Sequence, residues 1–176
     1  MTDDELMLAF RDGRTDAFEE LFARYRQLVW AFFRRRVADP ERARELAQDT
    51  FTAILEAAPR YEPRAAFRSY LFGVAFNVLA AARRKAALRV VERGTVLVEP
   101  AAPASDLSDV IWVRQALAAL DADEREILML REYDALGYDD IAALLGLPLN
   151  TVRSRLFRAR LALRDVLIGH QTGARR

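Results

Sequence analysis

Five arginines between Asn150 and Arg164 have a spacing that suits nucleic-acid recognition. A short apolar stretch before them ends at Gly146, a Leu-Pro dipeptide follows, and an amphipathic stretch begins near Asn150. This order is typical of a helix-turn-helix, in which the second helix enters a DNA groove. The sequence therefore predicts a DNA-reading helix that begins close to residue 150.

The faces of this second helix follow from a rotation of about 100° per residue. Apolar side chains form one narrow stripe, which we expect to be buried: Val152, Leu156, Ala159 and Leu163. The opposite face carries candidate base-reading residues: Arg153, Ser154, Phe157 and Arg158. Arg155 and Arg160 flank that face, where the two phosphate backbones that border a major groove would lie.

Charge is separated along this half of the chain. Residues 121–140 hold eight acids and two bases, whereas residues 151–164 hold five arginines and no acid. The whole-chain balance of 27 Lys and Arg against 26 Asp and Glu conceals this separation. An arginine-rich face can simply be solvated, but here it coincides with a turn signal, an apolar stripe and an outward-facing Phe157, which favours DNA binding.

Aromatic and basic residues alternate across a Pro-containing segment between Arg60 and Tyr70. The residues concerned are Tyr61, Arg64, Phe67, Arg68 and Tyr70. Aromatic rings can stack on unpaired bases while cations hold the phosphates. A basic cluster, Arg83-Arg84-Lys85, is predicted to end the helix that follows. The alternative, that the aromatics cap a bundle core and the cations favour a helix C-terminus, stays open.

A third candidate site is the segment Leu46-Ala47-Gln48-Asp49-Thr50-Phe51. Gln48 and Asp49 could face outward beside Phe51 as part of a protein-docking surface. An ordinary amphipathic helix is the simpler interpretation of the same residues.

Most catalytic groups are rare or missing. The chain has no Cys and a single His, His170, which argues against thiolate nucleophiles, Cys-based metal sites and His-dependent triads. We expect no catalytic residue, no metal and no cofactor. The best candidates for a hydrolase are the carboxylate pairs Glu19-Glu20 and Asp139-Asp140, but neighbours in sequence point to different helix faces.

Helix signals dominate the chain and predict an all-α fold. Gly13 stops a first short helix before a long second one, and Asp39-Pro40 starts a third that reaches about Ala58. A fourth runs from near Ala65 to Lys85. Asp121 and Glu124 resemble a capping box that opens a helix in the second half.

Two small domains are predicted, residues 1–85 and 107–168, with a linker at 86–106 and a tail at 169–176. The linker contains one Gly and two Pro and has no helical stripe. Fully extended, its 21 residues would span roughly 70 Å, about two turns of DNA.

Nothing in the sequence predicts export or membrane insertion. The N-terminus is acidic, unlike a secretory signal. The longest apolar stretch, Leu71 to Ala82, is shorter than the roughly 20 residues that cross a bilayer, and we expect it to form a buried helix. We expect a cytoplasmic protein.

These features, in this order, resemble a bacterial RNA polymerase sigma factor of the sigma-70 family, in particular the small two-domain extracytoplasmic-function (ECF) group. The matching segments are Phe18-Glu19-Glu20-Leu21-Phe22, Ala47-Gln48-Asp49-Thr50-Phe51, Phe67-Arg68-Ser69-Tyr70-Leu71 and Thr151 to Arg160. The sequence departs from the usual pattern at Tyr70, where Trp is frequent, at Gly73, where a larger residue is usual, and at Asn150, where Gly is common.

The resemblance implies a role for each candidate site. The first domain would bind the clamp helices of core RNA polymerase through Leu46, Gln48, Asp49, Thr50 and Phe51. It would open the minus-10 promoter element with Tyr61, Arg64, Phe67, Arg68, Ser69, Tyr70, Asn77, Arg83, Arg84 and Lys85. The second domain would dock on the polymerase flap and read the minus-35 element with Thr151, Arg153, Ser154, Arg155, Phe157, Arg158 and Arg160. The partners implied are core RNA polymerase, promoter DNA and an anti-sigma factor.

One alternative of another class stays open at this point. A conventional helix-turn-helix regulator, with an N-terminal bundle that senses a ligand or dimerises, would bind a palindromic DNA site without polymerase.

Overall fold

The computed structural model describes the backbone of residues 1–93 and 115–173, and every regular element in those ranges is a helix. The expected all-α fold is therefore confirmed. The chain divides into two compact units, Met1–Ala102 and Pro103–Arg176. Within the described residues, no helix is both long enough and apolar enough to cross a membrane.

Four α-helices and one 3₁₀ turn build the first unit. In chain order they are α1 (Asp3–Arg11), α2 (Thr15–Arg34), α3 (Pro40–Ala57), the 3₁₀ turn (Ala58–Arg60) and α4 (Phe67–Arg93). The chain leaves α1 through Gly13 at φ +102°, a conformation that favours glycine. The Asp39 carboxylate accepts a hydrogen bond from the Glu41 amide at 2.9 Å, which caps α3 as predicted.

Aromatic and aliphatic side chains fill the core of the first unit, most of them from α2, α3 and α4. The largest fully buried ones are Leu6, Met7, Leu21, Phe32, Phe33, Ile54, Phe67, Leu71, Phe72 and Leu79. The apolar stretch from Leu71 to Ala82 buries only one stripe of α4, because Asn77 and Ala81 on other faces are exposed. The stretch therefore forms the expected helix in the core of the unit, but it is buried along one stripe and not all round.

Helix α1 fastens both ends of the segment that joins the 3₁₀ turn to α4. The Asp4 carboxylate accepts the backbone N–H of Phe67 at 2.7 Å, and so caps the start of α4. Arg11 Nη1 donates to the carbonyl of Tyr61 at 3.4 Å. The Asp3 carboxylate also accepts the Tyr25 hydroxyl, which attaches α1 to α2.

Helix α4 is longer than the sequence predicts. It continues past Lys85 to Arg93, so the predicted helix end at Lys85 is wrong and the first eight residues of the predicted linker, 86–93, are helical. Ala86, Ala87 and Leu88 are strong helix formers, which explains the extension. Residues 94–106, the rest of the predicted linker, lie outside the described residues.

Three α-helices of the second unit follow a helical turn at residues 115–118. They are α5 (Ala122–Glu132), α6 (Tyr138–Leu145) and α7 (Leu149–Gly173). Their shared core consists mainly of Ile127, Leu128, Leu130, Leu136, Ile141, Val152, Leu156 and Ala159. Helix α7 reaches Gly173, five residues past the predicted domain end at 168.

The turn between α6 and α7 has the predicted form. Gly146 adopts a left-handed conformation at φ +64°, and the Leu147 amide donates to the Ala142 carbonyl at 3.0 Å. The Thr151 amide then donates to the Pro148 carbonyl at 2.9 Å as α7 begins.

The predicted capping box at Asp121 is not formed. The Asp121 carboxylate does accept the Asp123 amide at 3.0 Å and caps α5, but the Glu124 carboxylate binds Arg158 Nε at 2.7 Å instead of the cap backbone.

Candidate nucleic-acid interface

Helix α7 buries one face and exposes another, as its sequence predicts. Val152, Leu156 and Ala159 are at most 1% exposed. Arg153 and Ser154 are exposed, and the Phe157 ring, at 67%, is among the most exposed large apolar side chains described. An exposed aromatic ring costs hydration free energy unless a partner covers it, so this face is suited to binding.

Three arginines of α7 form ion pairs with acids of α5. Arg155 Nη1 lies 2.6 Å from Asp123 and Arg158 Nε lies 2.7 Å from Glu124. Arg160 Nε donates to Glu132 at 3.0 Å. The Arg160–Glu132 hydrogen bond raises the pKa of Arg160 above its ordinary value. The acidic and basic stretches of the sequence are thus in direct contact.

The two other arginines of α7 at residues 151–164 differ from these. Arg164 pairs with its neighbour Asp165 at 2.7 Å. Arg153 makes only a long contact to the Asn150 side-chain oxygen, at 3.5 Å, and has no carboxylate partner within the described ranges. Arg153 is therefore the arginine of this group with the most freely available charge.

The remaining members of the predicted set lie close to Arg153. The Ser154 hydroxyl donates to the Thr151 carbonyl at 3.0 Å, and Thr151 itself is half-buried. Arg158 remains 59% exposed in its side chain despite its bond to Glu124. The sequence pattern predicted the exposed face of α7. It did not predict that Asp123, Glu124 and Glu132 pair with the arginines of that helix. The one signal in the sequence was that these acids lie in the acidic stretch at residues 121–140.

The segment between residues 61 and 70 divides into anchors and exposed residues. Tyr61 and Phe67 are 4% and 2% exposed. The Tyr61 ring meets the half-buried Tyr70 ring edge-on at 5.0 Å, and Phe67 meets Tyr25 at 5.5 Å. Burial, followed by the Asp4 carboxylate and Tyr70, raises the pKa of the Tyr61 phenol. Tyr61 and Phe67 thus hold the segment rather than present a free ring.

Between these anchors the backbone and side chains at residues 62–66 are exposed. The Arg64 side chain is 86% exposed and pairs with Glu62 at 2.8 Å. Ser69 is half-buried, and the half-buried Arg68 lies over the Phe72 ring at 5.4 Å. The accessible part of this candidate site is therefore its loop, together with Ser69 and Tyr70.

The basic cluster Arg83-Arg84-Lys85 lies within α4 and not at its end, so that prediction is wrong. All three side chains are exposed and have no carboxylate partner in the part of the chain that the structure describes. Because the helix continues to Arg93, a favourable interaction with a helix C-terminus does not explain the cluster. Asn77 is exposed and lies two turns before Arg84, on nearly the same face of α4.

The third candidate site, residues 46–51 of α3, contains both exposed and buried residues. Gln48 and Asp49 are exposed on α3, whereas Leu46, Thr50 and Phe51 are buried. The Thr50 hydroxyl donates to the Leu46 carbonyl at 2.8 Å.

Two apolar side chains that the sequence interpretation did not place on this surface are exposed beside it. Phe22 of α2 is 41% exposed and meets the Phe51 ring at 4.9 Å. Leu55 is 42% exposed, two turns after Gln48 on α3. Phe22 has helical spacing with core residues of α2, so periodicity alone could not separate it from them.

The adjacent carboxylates considered for hydrolysis have structural partners. Glu20 pairs with Arg24 on α2. Asp140 accepts the Gly137 amide at 3.2 Å at the start of α6. In each pair, one carboxylate therefore has a structural role, which explains its presence without a catalytic one.

Known proteins match both units in chain order. Residues 21–89 match the family described as Sigma-70 region 2, and residues 111–163 match Sigma-70, region 4. The RNA polymerase sigma factor CarQ of Myxococcus xanthus is 34% identical over 165 residues, 92% of this chain and 95% of that protein. The ECF RNA polymerase sigma factor SigC of Mycobacterium tuberculosis is 34% identical over 170 residues, 92% of this chain and 91% of that protein.

A solved structure agrees with these sequence matches. The sigma factor RpoE of Bartonella quintana, crystallised with the anti-sigma factor NepR, has a TM-score of 0.72 and 28% identity, covering 85% of this chain and 96% of that one. The chain therefore belongs to the sigma-70 family of RNA polymerase sigma factors, within its ECF group, and the resemblance seen in the sequence is confirmed.

Proposed function

We propose that this sigma factor binds core RNA polymerase and directs it to promoters in which α7 reads the minus-35 element. The exposed face of α7 carries the proposal: Arg153, Ser154 and Phe157 point away from a buried stripe of Val152, Leu156 and Ala159. Arg153 is the principal base-reading cation, because arginine can make two parallel hydrogen bonds to guanine. Arg158 reads beside it, and Arg155, Arg160 and Thr151 contact the backbone.

The minus-10 element is opened by the first unit. The exposed loop at residues 62–66, with Arg64, Ser69 and Tyr70, takes the unpaired bases, and Arg68 lies beside it over the Phe72 ring. Asn77, Arg83, Arg84 and Lys85 continue this surface along α4, where cations without carboxylate partners among the described residues attract the strand's phosphates. Tyr61 and Phe67 act as anchors beneath the loop.

Core polymerase binds the surface around Gln48 and Asp49 through its clamp helices, and the second unit docks on the flap. Leu46, Thr50 and Phe51 support this surface from below. Phe22 and Leu55 add exposed apolar area beside the two polar residues, a composition typical of the centre of a protein interface. The chain needs no catalytic residue or cofactor of its own for this function, because polymerase supplies the chemistry.

An anti-sigma factor is the second protein partner that we propose. The Bartonella quintana sigma factor, 28% identical to this chain, was crystallised with one. The cytoplasm is the expected location, since polymerase and promoters are found there. Co-purification from the source bacterium tests both partners: polymerase subunits and a small inhibitory protein should accompany the chain.

Transcription from a randomised promoter library tests the main proposal. Purified chain and bacterial core polymerase should yield transcripts whose promoters share two separated boxes, and core alone should not. Arg153→Ala should weaken promoter recognition by about 1–3 kcal/mol, the cost typical of a lost base contact. It should also relax the sequence preference in the upstream box. Arg158→Ala should have a smaller effect of the same kind.

Arg14→Ala is the matched control, since Arg14 is likewise an exposed arginine, lies in the first unit outside the proposed sites and pairs with Asp16 at 2.6 Å. Transcripts that arise without the chain, or an upstream box indifferent to Arg153, would contradict the proposal. A palindromic site bound without polymerase would favour the regulator alternative instead.

A further inference from the structure

Acidic residues of α5 partly neutralise the helix that reads DNA. The three pairs join Asp123 to Arg155, Glu124 to Arg158 and Glu132 to Arg160, across 28 to 34 residues of sequence. Each pair uses guanidinium N–H groups of the arginine that would otherwise be available to a phosphate. The three arginines border the face that carries Arg153, so their charge lies where DNA phosphates would approach.

Glu124 is the most sheltered of the three acids. Its side chain is 18% exposed, against 66% for Asp123 and 48% for Glu132. Solvent and salt screen a sheltered charge less than an exposed one. The attraction of the Glu124 carboxylate for Arg158 is therefore the least weakened by solvent and salt, and DNA must compete with it to interact with the full charge of Arg158.

Competition between these acids and DNA phosphates should weaken binding to arbitrary DNA more than binding to the correct promoter element. Binding to arbitrary DNA depends on the number of cations that neutralise phosphates and on little else. Binding to the correct element adds base contacts, which here come mainly from Arg153, Ser154 and Phe157, with Arg158 beside them. Arg153 has no carboxylate partner among the residues described, so the acids of α5 leave the principal base-reading cation available, and Arg158 is the base-reading residue that they pair with.

We propose that Asp123, Glu124 and Glu132 are specificity-determining residues, which compete with DNA phosphates for Arg155, Arg158 and Arg160 and so weaken binding to arbitrary DNA. This inference rests on the DNA-reading role proposed for α7. Their effect is to raise the ratio of promoter binding to non-specific binding, while lowering the total affinity of the second unit for DNA.

The direct test is binding of the full-length chain to a duplex of randomised sequence, measured by fluorescence anisotropy at several salt concentrations. Glu124→Gln should bind about fivefold more tightly at low salt. Its plot of log affinity against log salt should steepen by about 0.9, the value for one additional neutralised phosphate. Asp123→Asn should shift affinity and slope in the same direction.

Glu45→Gln serves as the control for this binding assay, because Glu45 is exposed, pairs with Arg42 at 2.7 Å, and the variant makes the same change in net charge in the first unit. Its affinity and salt slope should equal those of the original chain. Since Asp123 is exposed, Asp123→Asn keeps the test meaningful even where Glu124→Gln disturbs folding, which circular dichroism would reveal.

A second readout measures specificity in the holoenzyme. Initiation at a promoter obtained from the library should be inhibited by less random competitor DNA with Glu124→Gln than with the original chain. Equal sensitivity to competitor would overturn the specificity claim.

The remaining outcomes separate this inference from the proposed function. Unchanged or weaker binding by both acid variants would mean that the acids only position their arginines, and it would overturn the inference alone. If Arg153→Ala also leaves promoter use unchanged, the DNA-reading role of α7 itself fails.

Discussion

The loop at residues 61–66 is anchored by residues distant in sequence, whereas the turn before α7 is closed by its own neighbours. Asp4 binds the Phe67 amide across 63 residues, and Arg11 reaches the Tyr61 carbonyl across 50. The turn of the second unit uses backbone bonds from Leu147 to Ala142 and from Thr151 to Pro148. The loop therefore depends on the whole first unit, while the turn depends on a short stretch of chain.

Aromatic and basic side chains differ between the same two regions. Phe67 is buried beneath its loop, but Phe157 stands exposed on α7. The cations of α4 at residues 83–85 have no carboxylate partner in the described part of the chain, whereas three arginines of α7 are paired with α5. The first unit thus has a supported loop and, on α4, cations without carboxylate partners among the described residues. The second unit has an exposed Phe157 ring surrounded by arginines that are paired with acids.

The largest expected effect separates the two phenylalanines. Phe67→Ala should destabilise the first unit by about 3–5 kcal/mol, as for a buried aromatic. Phe157→Ala should change stability by less than about 0.5 kcal/mol and reduce promoter use instead. Urea unfolding followed by Trp30 fluorescence, in a Trp112→Phe background, measures the first unit.

The corresponding Trp30→Phe background reports on the other unit through Trp112. Equal loss of stability from the two alanine substitutions would remove the distinction between an anchoring ring and a reading ring.

A smaller effect distinguishes the distant anchor from the local turn. Asp4→Ala removes the cap of α4 and should cost about 0.5–2 kcal/mol. Asp4→Asn keeps an acceptor oxygen and should restore most of that stability. Urea unfolding of both variants measures the difference, and an equal loss from Asn and Ala would show that the acceptor is unimportant.

Gly146→Ala provides the comparison in the turn. A Cβ atom there meets nothing within 4 Å, so only the left-handed backbone is strained, at a cost of about 1 kcal/mol. The loss should appear in the second unit alone. A loss in the first unit would contradict the local character of the turn.

The smallest effect is confined to alkaline pH. Burial and the hydrogen bond to Asp3 raise the pKa of Tyr25 to about 12, from an ordinary value of 10.0. The native state therefore keeps this phenol protonated longer than the unfolded state does. The stability that Tyr25 contributes is fully present below pH 10 and is lost as pH rises through about 12.

Urea unfolding between pH 9 and 12 checks this expectation. Tyr25→Phe should make the loss of stability with pH less steep. Tyr61 and Tyr70, whose pKa values are also raised by burial, should preserve part of the slope. An identical slope in the variant would mean that Tyr25 ionises alike in both states.

Local chemistry explains which parts of the fold were predictable. The Asp39 cap, the turn at Gly146 and the buried stripe of α7 each depend on residues close in sequence, and each was predicted correctly except for Leu163, which is half-buried. The end of α4 was placed too early. This helix continues through residues 86–93, which have adequate helix propensity beyond the last recognised signal, so the composition did not mark its end.

Interactions between distant elements explain the rest. Nothing near Glu124 in sequence distinguishes a capping role from an ion pair with Arg158, because the partner lies on another helix. The bond from Asp4 to Phe67 could not be foreseen for the same reason. The candidate sites stay predictions, and patterning could not separate buried Phe51 from exposed Phe22.

The bond between Asp4 and the Phe67 amide also has a consequence for synthesis. A growing chain exposes α1, α2 and α3 before Phe67 has left the ribosome, so the Asp4 carboxylate waits without its hydrogen-bond donor. Because interactions across 63 residues form late compared with local turns, the first unit can close only after the start of α4 has emerged. Translation pausing just before residue 67 would therefore leave α1 attached to α2 through Asp3 and Tyr25, with the Asp4 carboxylate still facing water.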